Sequence, residues 1–279
     1  MQALVAPHSH QLCAADGTAL HVSDYMLPVS DLRGSVVIMH GLGEHSGRYR
    51  HVAQFFNECG LAVRCYDHRG HGRSGGDRGD VISGDPMVQD AEIVIDDFAA
   101  RFSAPPFLFG HSMGGLFAAR FALARLSPLR GLILSSPALG VPLSGVQNML
   151  LSFMHAVAPW LAIPTGLRPR FLTHDMRAVA AYKADPLVHS RISARLMRSM
   201  LSSIDYCHVH AATLAVPALM LVAGDDHIVD ANGSRRFHAQ LPQGQAQMHI
   251  YDSFYHEIFN EIDCERPFAD LRAWLSSCL

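Results

Sequence analysis

The chain has 279 residues, 49% of them apolar, enough for one large domain or two small ones around a sizeable core. Its 22 basic and 25 acidic residues give a net charge of −3, which lacks the basic footprint of a nucleic-acid binder and excludes nucleic acid as an expected partner. The six cysteines (Cys13, Cys59, Cys65, Cys207, Cys264 and Cys278) form no C-x-x-C pair and no Cys/His spacing of the zinc type. Reduced thiols are therefore expected, with no disulfide framework and no metal site.

Taken in chain order, residues 1–10 carry no basic region and no apolar run of signal-peptide length. No stretch is apolar for long enough to span a bilayer, so a cytoplasmic protein is expected. The first 30 residues read as an antiparallel hairpin turning at Asp16-Gly17. From Gly34 onward, short apolar runs alternate with helical patterns. Strands are predicted over 35–39, 62–66, 107–109 and 132–134, with helices over 48–59, 86–102 and 116–126 between them. The alternation resumes with a strand over 218–222, a helix over 234–241, a strand over 247–251 and a last helix near 266–275. Continuous apolar strands alternating with helices predict an α/β fold, a mostly parallel central sheet covered by helices on both faces.

The alternation stops between Ser136 and about Val216. Within that break, residues 168–200 hold seven basic and two acidic side chains, a local net of +5 in a chain of −3. A helical insertion above the sheet is the simplest account. The expected organisation is a core over 1–136 and 206–279, with a helical cap, or lid, over 137–205.

Chemistry enters at Gly110-His111-Ser112-Met113-Gly114, a G-x-S-x-G pentapeptide. Alone it is weak, but it follows the apolar run Phe107-Leu108-Phe109 and opens a helical pattern. That strand-turn-helix setting is what a nucleophile elbow of the α/β-hydrolase fold requires. Gly110 and Gly114 fit because a sharp turn brings strand and helix too close for side chains on either side of the serine. A serine hydroxyl needs a base, and the base needs an orienting partner. In this fold they follow in the order Ser, Asp or Glu, His, after later strands. Asp226, after the strand over 218–222, is the better candidate than Asp225. His256, in the loop after the last strand, stands out among 18 histidines by that position. His249 lies within a strand and His238 within a helix, and His227 is too close to Asp226 in sequence to partner it.

The carbonyl oxygen that gains charge in acyl transfer needs backbone N–H donors. Met113, after the nucleophile, is one expected donor. Leu42, in His40-Gly41-Leu42-Gly43-Glu44-His45 after the early strand, is the other, with Gly41 allowing close backbone approach. Asp67-His68-Arg69-Gly70-His71-Gly72-Arg73-Ser74 has no lysine placed as in a P-loop. It is expected to brace the loops near the elbow through hydrogen bonds.

These segments together resemble one family. His40 to Tyr49 is similar to the oxyanion loop of monoacylglycerol lipases and the related lysophospholipases. Asp67 to Ser74 resembles that family's D-x-R-G-H-G-x-S segment, and Gly110 to Gly115 its elbow. Asp226 and His256 sit where its remaining catalytic residues would. The resemblance runs from about Ser9 to the C-terminus. It implies hydrolysis of an ester in a glycerol-linked acyl lipid beneath a lid, by a catalytic set of Ser112, Asp226 and His256. It leaves the head group open.

In the expected lid, Val146, Met149, Leu150, Phe153, Val157, Trp160 and Leu161 fall on one helical face, with Leu151 the exception on the polar face; Pro159 should kink or end the helix. That face is core-facing or functional, and both readings can hold for different residues. In the functional reading, Met149, Phe153 and Trp160 wall an acyl pocket or touch lipid aggregates. The expectation is therefore a serine ester hydrolase acting through an acyl-enzyme, with no metal or organic cofactor. Its partners are a small lipid ester and, transiently, a membrane surface or lipid aggregate that keeps it peripheral. Three alternatives share the scaffold: a short-chain carboxylesterase, a thioesterase and a proline-type aminopeptidase. One of another class, a non-catalytic ligand receptor, has the intact Ser112, Asp226 and His256 against it.

Overall fold

The computed structural model describes residues 6–82 and 84–279; residues 1–5, half of the stretch read above for a leader, lie outside them. Among the described residues no helix is long and apolar enough to cross a membrane.

The chain opens with β1 (His8–Cys13) and β2 (Ala19–Tyr25), an antiparallel hairpin whose turn carries Gly17 at φ +85°. Then come β3 (Gly34–Met39), α1 (Arg50–Glu58), β4 (Leu61–Tyr66), α2 (Pro86–Ala99), β5 (Phe107–His111), α3 (Met113–Ala124) and β6 (Gly131–Ser135). Each predicted strand and helix of this stretch forms. The strands β9 (Ala218–Ala223) and β10 (Ala246–Tyr251) and the helices α7 (Ala231–Gln240) and α8 (Glu265–Cys278) complete the alternation. The eight strands pair in the order β1-β2-β4-β3-β5-β6-β9-β10. Every pair from β4 to β10 is parallel, and only the β1–β2 and β2–β4 pairs are antiparallel. The expected α/β architecture, mostly parallel and covered on both faces, is the one the chain adopts.

Alternation along the strands divides the core in two. Val37, Met39, Leu108, Met220 and Val222 pack with α2, α3 and Phe237 of α7 on one face. Val36, Ile38, Phe107, Phe109, Leu219 and Leu221 pack with α1 and α8 on the other. Because both faces are covered, these strands read as unbroken apolar runs. One charge interrupts them. Arg64, in β4, is fully buried and donates through Nε and Nη2 to both carboxylate oxygens of Asp24 (2.7 and 2.8 Å) and through Nη1 to Asp97 (2.6 Å). A buried guanidinium is tolerable only when its donors are so engaged.

Between β6 and β9 lie α4 (Gly145–Val157), β7 (Ala162–Pro164), α5 (Met176–Ala184), β8 (Arg191–Ser193) and α6 (Ala194–His210). The short strands β7 and β8 form their own antiparallel pair. The expected boundary between residues 205 and 206 falls inside α6, whose Leu196, Met200 and Cys207 join the core cluster containing α3. Arg195 pairs with Asp80, and Arg120 of α3 donates to Ser203 (2.9 Å).

In α4 the core-facing expectation fails. Ser144 caps the helix in a reciprocal box with Gln147, and the helix ends at Val157, just before Pro159. Its apolar stripe points outward: Met149 is 69% exposed, Phe153 61% and Trp160, beyond the helix end, 59%. The half-buried positions are Leu151 and Met154, three apart, so Leu151, the exception to the pattern, lies on the protein-facing side. The sequence shows that a stripe exists; it does not show which side of the helix the rest of the molecule occupies.

Candidate active site

At the C-terminal end of β5 the chain turns into α3 through Ser112, whose backbone lies at φ +54° and ψ −119°. For a non-glycine residue that conformation costs about 1–3 kcal/mol. It is held from both sides: the Ser112 N–H donates to the Ser135 carbonyl (3.0 Å), and its carbonyl accepts from Leu116 and Ala138 (3.0 and 2.9 Å). The glycines leave no room for substitution. A Cβ at Gly110 would stand 2.4 Å from the Gly114 carbonyl oxygen, and one at Gly114 would stand 2.3 Å from that of Met39. One at Gly41 would press on Glu44 Oε1 at 2.8 Å.

Three residues far apart in sequence meet here. His256 Nε2 lies 2.8 Å from Ser112 Oγ, and His256 Nδ1 lies 2.7 Å from Asp226 Oδ2. Asp226 follows β9, and its Oδ1 accepts from the Ile228 and Val229 amides (2.8 and 3.0 Å). Since the carboxylate can only accept, Nδ1 carries the proton and Nε2 is free to accept from the serine. Burial pulls the imidazole down, but the charge and hydrogen bond of Asp226, with Glu257 and Glu44, outweigh it and hold His256 above the ordinary histidine value. Burial pushes Asp226 up, and the His256 charge and hydrogen bond with the two amides reverse that, keeping it below the usual carboxylate range. Asp225, its neighbour, is exposed and pairs with His227 instead (3.1 Å).

The loop after β3 is fixed by buried polar contacts. The His68 N–H donates to His40 Nε2 (2.9 Å), so the His40 proton sits on Nδ1 and is given to the Gly41 carbonyl (2.7 Å). In a trans peptide, that turns the Leu42 N–H the opposite way, off His40. The Gly41 N–H donates to Glu44 Oε1 (2.6 Å), which also accepts from Tyr49 OH (2.5 Å). Among the described residues neither the Leu42 nor the Met113 amide donates to a protein group, and both residues line the same cavity as Ser112. Met113 opens α3, where the helix leaves N–H groups unpaired. The Asp67–Ser74 segment braces this corner as expected: Asp67 accepts from Ser46 and Arg73 (2.8 Å each), and Ser74 Oγ accepts from His21 and donates to the Asp67 carbonyl.

Sequence reasoning missed a buried ion cluster beside the site. Arg48 forks onto both carboxylate oxygens of Glu257 (2.7 Å each) and also contacts Glu44. Burial pushes Glu44 up, but Arg48 and the neighbouring groups bring it down to about 2. The spacing Glu44 to Arg48 and the adjacency of Glu257 to His256 were visible signals, but nothing local joins the two. Burial and the facing His256 lower His111, the elbow's second residue, to about 4, so it stays neutral beside Ser135 (3.0 Å).

Ser112 and His256 open into a cavity of about 420 Å³. Leu42, Met113, Ile192, Met197, Met200 and Val229 make much of its apolar wall. Met149, Phe153 and Trp160 do not reach it: they lie on the outer surface, so the acyl-wall half of that expectation is not met. The wall comes instead from Val141, from the segment around Thr165–Leu172, and from α5, β8 and the first half of α6. These stretches had no strong periodicity to single them out.

The sheet, the elbow and the serine–histidine–aspartate contacts define an α/β-hydrolase. A family model described as Hydrolase_4, serine aminopeptidase, S33, matches residues 30–263, and the chain belongs to this family. Among curated proteins it is 32% identical to a monoacylglycerol lipase of Mycolicibacterium smegmatis, over 97% of both chains. It is also 32% identical to phospholipase YtpA of Bacillus subtilis, over 86% of this chain and 93% of that one. Among solved structures, the Paleococcus ferrophilus monoacylglycerol lipase superposes with a TM-score of 0.84 at 35% identity, over 93% of this chain and 99% of the other.

Proposed function

We propose that the chain hydrolyses acyl esters of glycerol-linked lipids of the monoacylglycerol or lysophospholipid type, through an acyl-enzyme on Ser112. His256 takes the Ser112 proton as Oγ attacks the acyl carbonyl, and Asp226 orients the imidazole and stabilises its cation. The Leu42 and Met113 N–H groups hold the oxyanion, each worth about 10²–10³ in rate. The glycerol oxygen leaves with the proton from His256. Water, deprotonated by the same nitrogen, then releases the fatty acid and restores the serine. Gly41, Gly110 and Gly114 keep the loops close enough for this geometry.

The observation that carries the reading is the continuous hydrogen-bonded line Asp226–His256–Ser112, opening on a mostly apolar cavity. The lipase and phospholipase names of the relatives favour an acyl substrate. The family description names an aminopeptidase, which must hold a substrate ammonium. The cavity-lining carboxylates Glu44 and Glu257 are both tied to Arg48, which disfavours that reading. The segment between β6 and β9 serves as the lid, and the outward stripe of α4 is its contact with lipid aggregates, making the enzyme peripheral to its substrate phase.

A fluorophosphonate probe should label the native chain and leave Ser112→Ala unlabelled; no labelling of the native chain would favour the non-catalytic receptor. Rates on glycerol esters of increasing acyl length, on p-nitrophenyl esters and on aminoacyl anilides then rank the substrates. Turnover of the anilides with none of the glycerol esters would overturn the proposal.

A further inference from the structure

The leaving glycerol must lie on the His256 side of Ser112, because His256 Nε2 protonates its oxygen. On that side residues 171–174 pack against the loop that carries His256. The Glu257 N–H, next to His256, donates to the Leu172 carbonyl (2.7 Å), and Thr173 Oγ1 donates to the Asn260 carbonyl (2.8 Å). Phe171 stacks on His227 at 4.4 Å and meets the Tyr255 ring edge-on at 6.0 Å. The segment is thus pinned to the residues flanking both Asp226 and His256.

Arg168 stands just before this segment, exposed at the cavity rim and among its lining residues. Of the insertion's other arginines, Arg195 reaches the core and pairs with Asp80, the exposed Arg177 pairs with Asp175, Arg198 donates to Ser152 (2.7 Å) and Arg170 lies over the Phe171 ring (4.7 Å); among the described residues Arg168 is the arginine that lines the cavity. Arg168 has no carboxylate within 4 Å among the described residues. The nearby carboxylates do not oppose an anion strongly, since Glu44 and Glu257 are neutralised in part by Arg48, and Asp225 is engaged by His227. The Arg168 carbonyl accepts from the Phe171 N–H (3.0 Å), one turn before the residues pinned beside His256, and an unpaired, planar, permanently charged donor set at that rim matches a phosphate group.

Resting on the reading above, we infer that Arg168 is a specificity determinant that binds a phosphate carried by the leaving glycerol, so that phosphorylated monoacyl glycerol esters are preferred over neutral ones. The phosphate stays on the alcohol throughout; only the acyl ester bond is cleaved.

The test compares kcat/KM for 1-octanoyl-glycerol, 1-octanoyl-glycerol 3-phosphate and p-nitrophenyl octanoate below their aggregation thresholds. The native enzyme should favour the phosphorylated ester at least about tenfold, the scale of one charge-assisted contact. Arg168→Gln should collapse that ratio toward one, and Arg168→Lys should retain part of it. Glycerol 3-phosphate should compete with the neutral ester in the native enzyme and lose potency in Arg168→Gln. No preference in the native enzyme, or an equal loss on all three substrates in Arg168→Gln, would overturn the inference. Inorganic phosphate competing as well as glycerol 3-phosphate would assign the site to free phosphate and overturn it as well. Cleavage of the p-nitrophenyl ester alone would sink the glycerol-ester reading itself, a result distinct from cleavage of both glycerol esters without preference.

Discussion

His256 is buried between a carboxylate and a hydroxyl, and the balance at that ring sets the pH behaviour. Its pKa lies above the ordinary histidine value because Asp226, Glu257 and Glu44 overcome desolvation. The base must be neutral to accept the Ser112 proton, so activity is absent at low pH and appears as pH rises through that raised value. The acid limb of kcat/KM should therefore lie above 6.5, the unperturbed histidine pKa. Asp226→Asn removes the charge and leaves the burial, so the limb should move down in pH. It also frees the wrong tautomer, and kcat near neutrality should fall about 10⁴-fold. A pH–rate profile of both proteins checks this; an unmoved limb would mean that Asp226 does not govern the ring.

Elements place these groups because the sheet tolerates few errors of register. β4 carries Arg64 between two helically covered faces, and its charge is met by Asp24 of β2 and Asp97 of α2, with the Val94 carbonyl (3.2 Å) and the Phe98 ring (4.6 Å) beside them. Asp24→Ala would leave a buried guanidinium with half its partners, a change that should cost about 3–5 kcal/mol. Urea unfolding measures it, and a loss under 1 kcal/mol would show that Asp97 and the Val94 carbonyl suffice. The loop after β3 depends on a similar logic at smaller scale. His40 and Glu44 hold the two polar groups of Gly41, so the direction of the Leu42 amide is decided before any substrate arrives.

For the whole molecule, the insertion presents two different surfaces on opposite sides. Its inner side supplies cavity wall through Tyr182, Ile192, Met197 and Met200, while its outer side carries the apolar stripe of α4. Ion pairs and hydrogen bonds hold it to the core: Arg195 to Asp80, His45 to Asp185 (2.8 Å), and the His189 N–H to the Gly43 carbonyl (2.8 Å). An outward stripe of this size is what the proposed contact with a lipid surface rests on. Replacing Phe153 and Trp160 by serine should lower hydrolysis of vesicle-borne ester at least about tenfold, given the apolar area withdrawn from lipid contact. Rates on a monomeric p-nitrophenyl ester should change far less. Equal losses on both substrates would show that the stripe supports folding and does not dock on lipid.

The sequence alone determined the strands, the helices of the core, the elbow and the order of Ser112, Asp226 and His256. Each is written in local pattern: apolar runs of strand length, glycines where backbones cross, and polar residues just past strand ends. The tertiary structure decided what depends on distant segments. It turned the α4 stripe outward, ran α6 through the expected cap boundary, and brought Arg48 onto both Glu44 and Glu257. It also left Arg168 without a carboxylate partner among the described residues at the cavity rim. Periodicity fixes which side chains share a face, but only packing fixes what that face meets, and a charge finds its partner through space, with no trace in the local pattern.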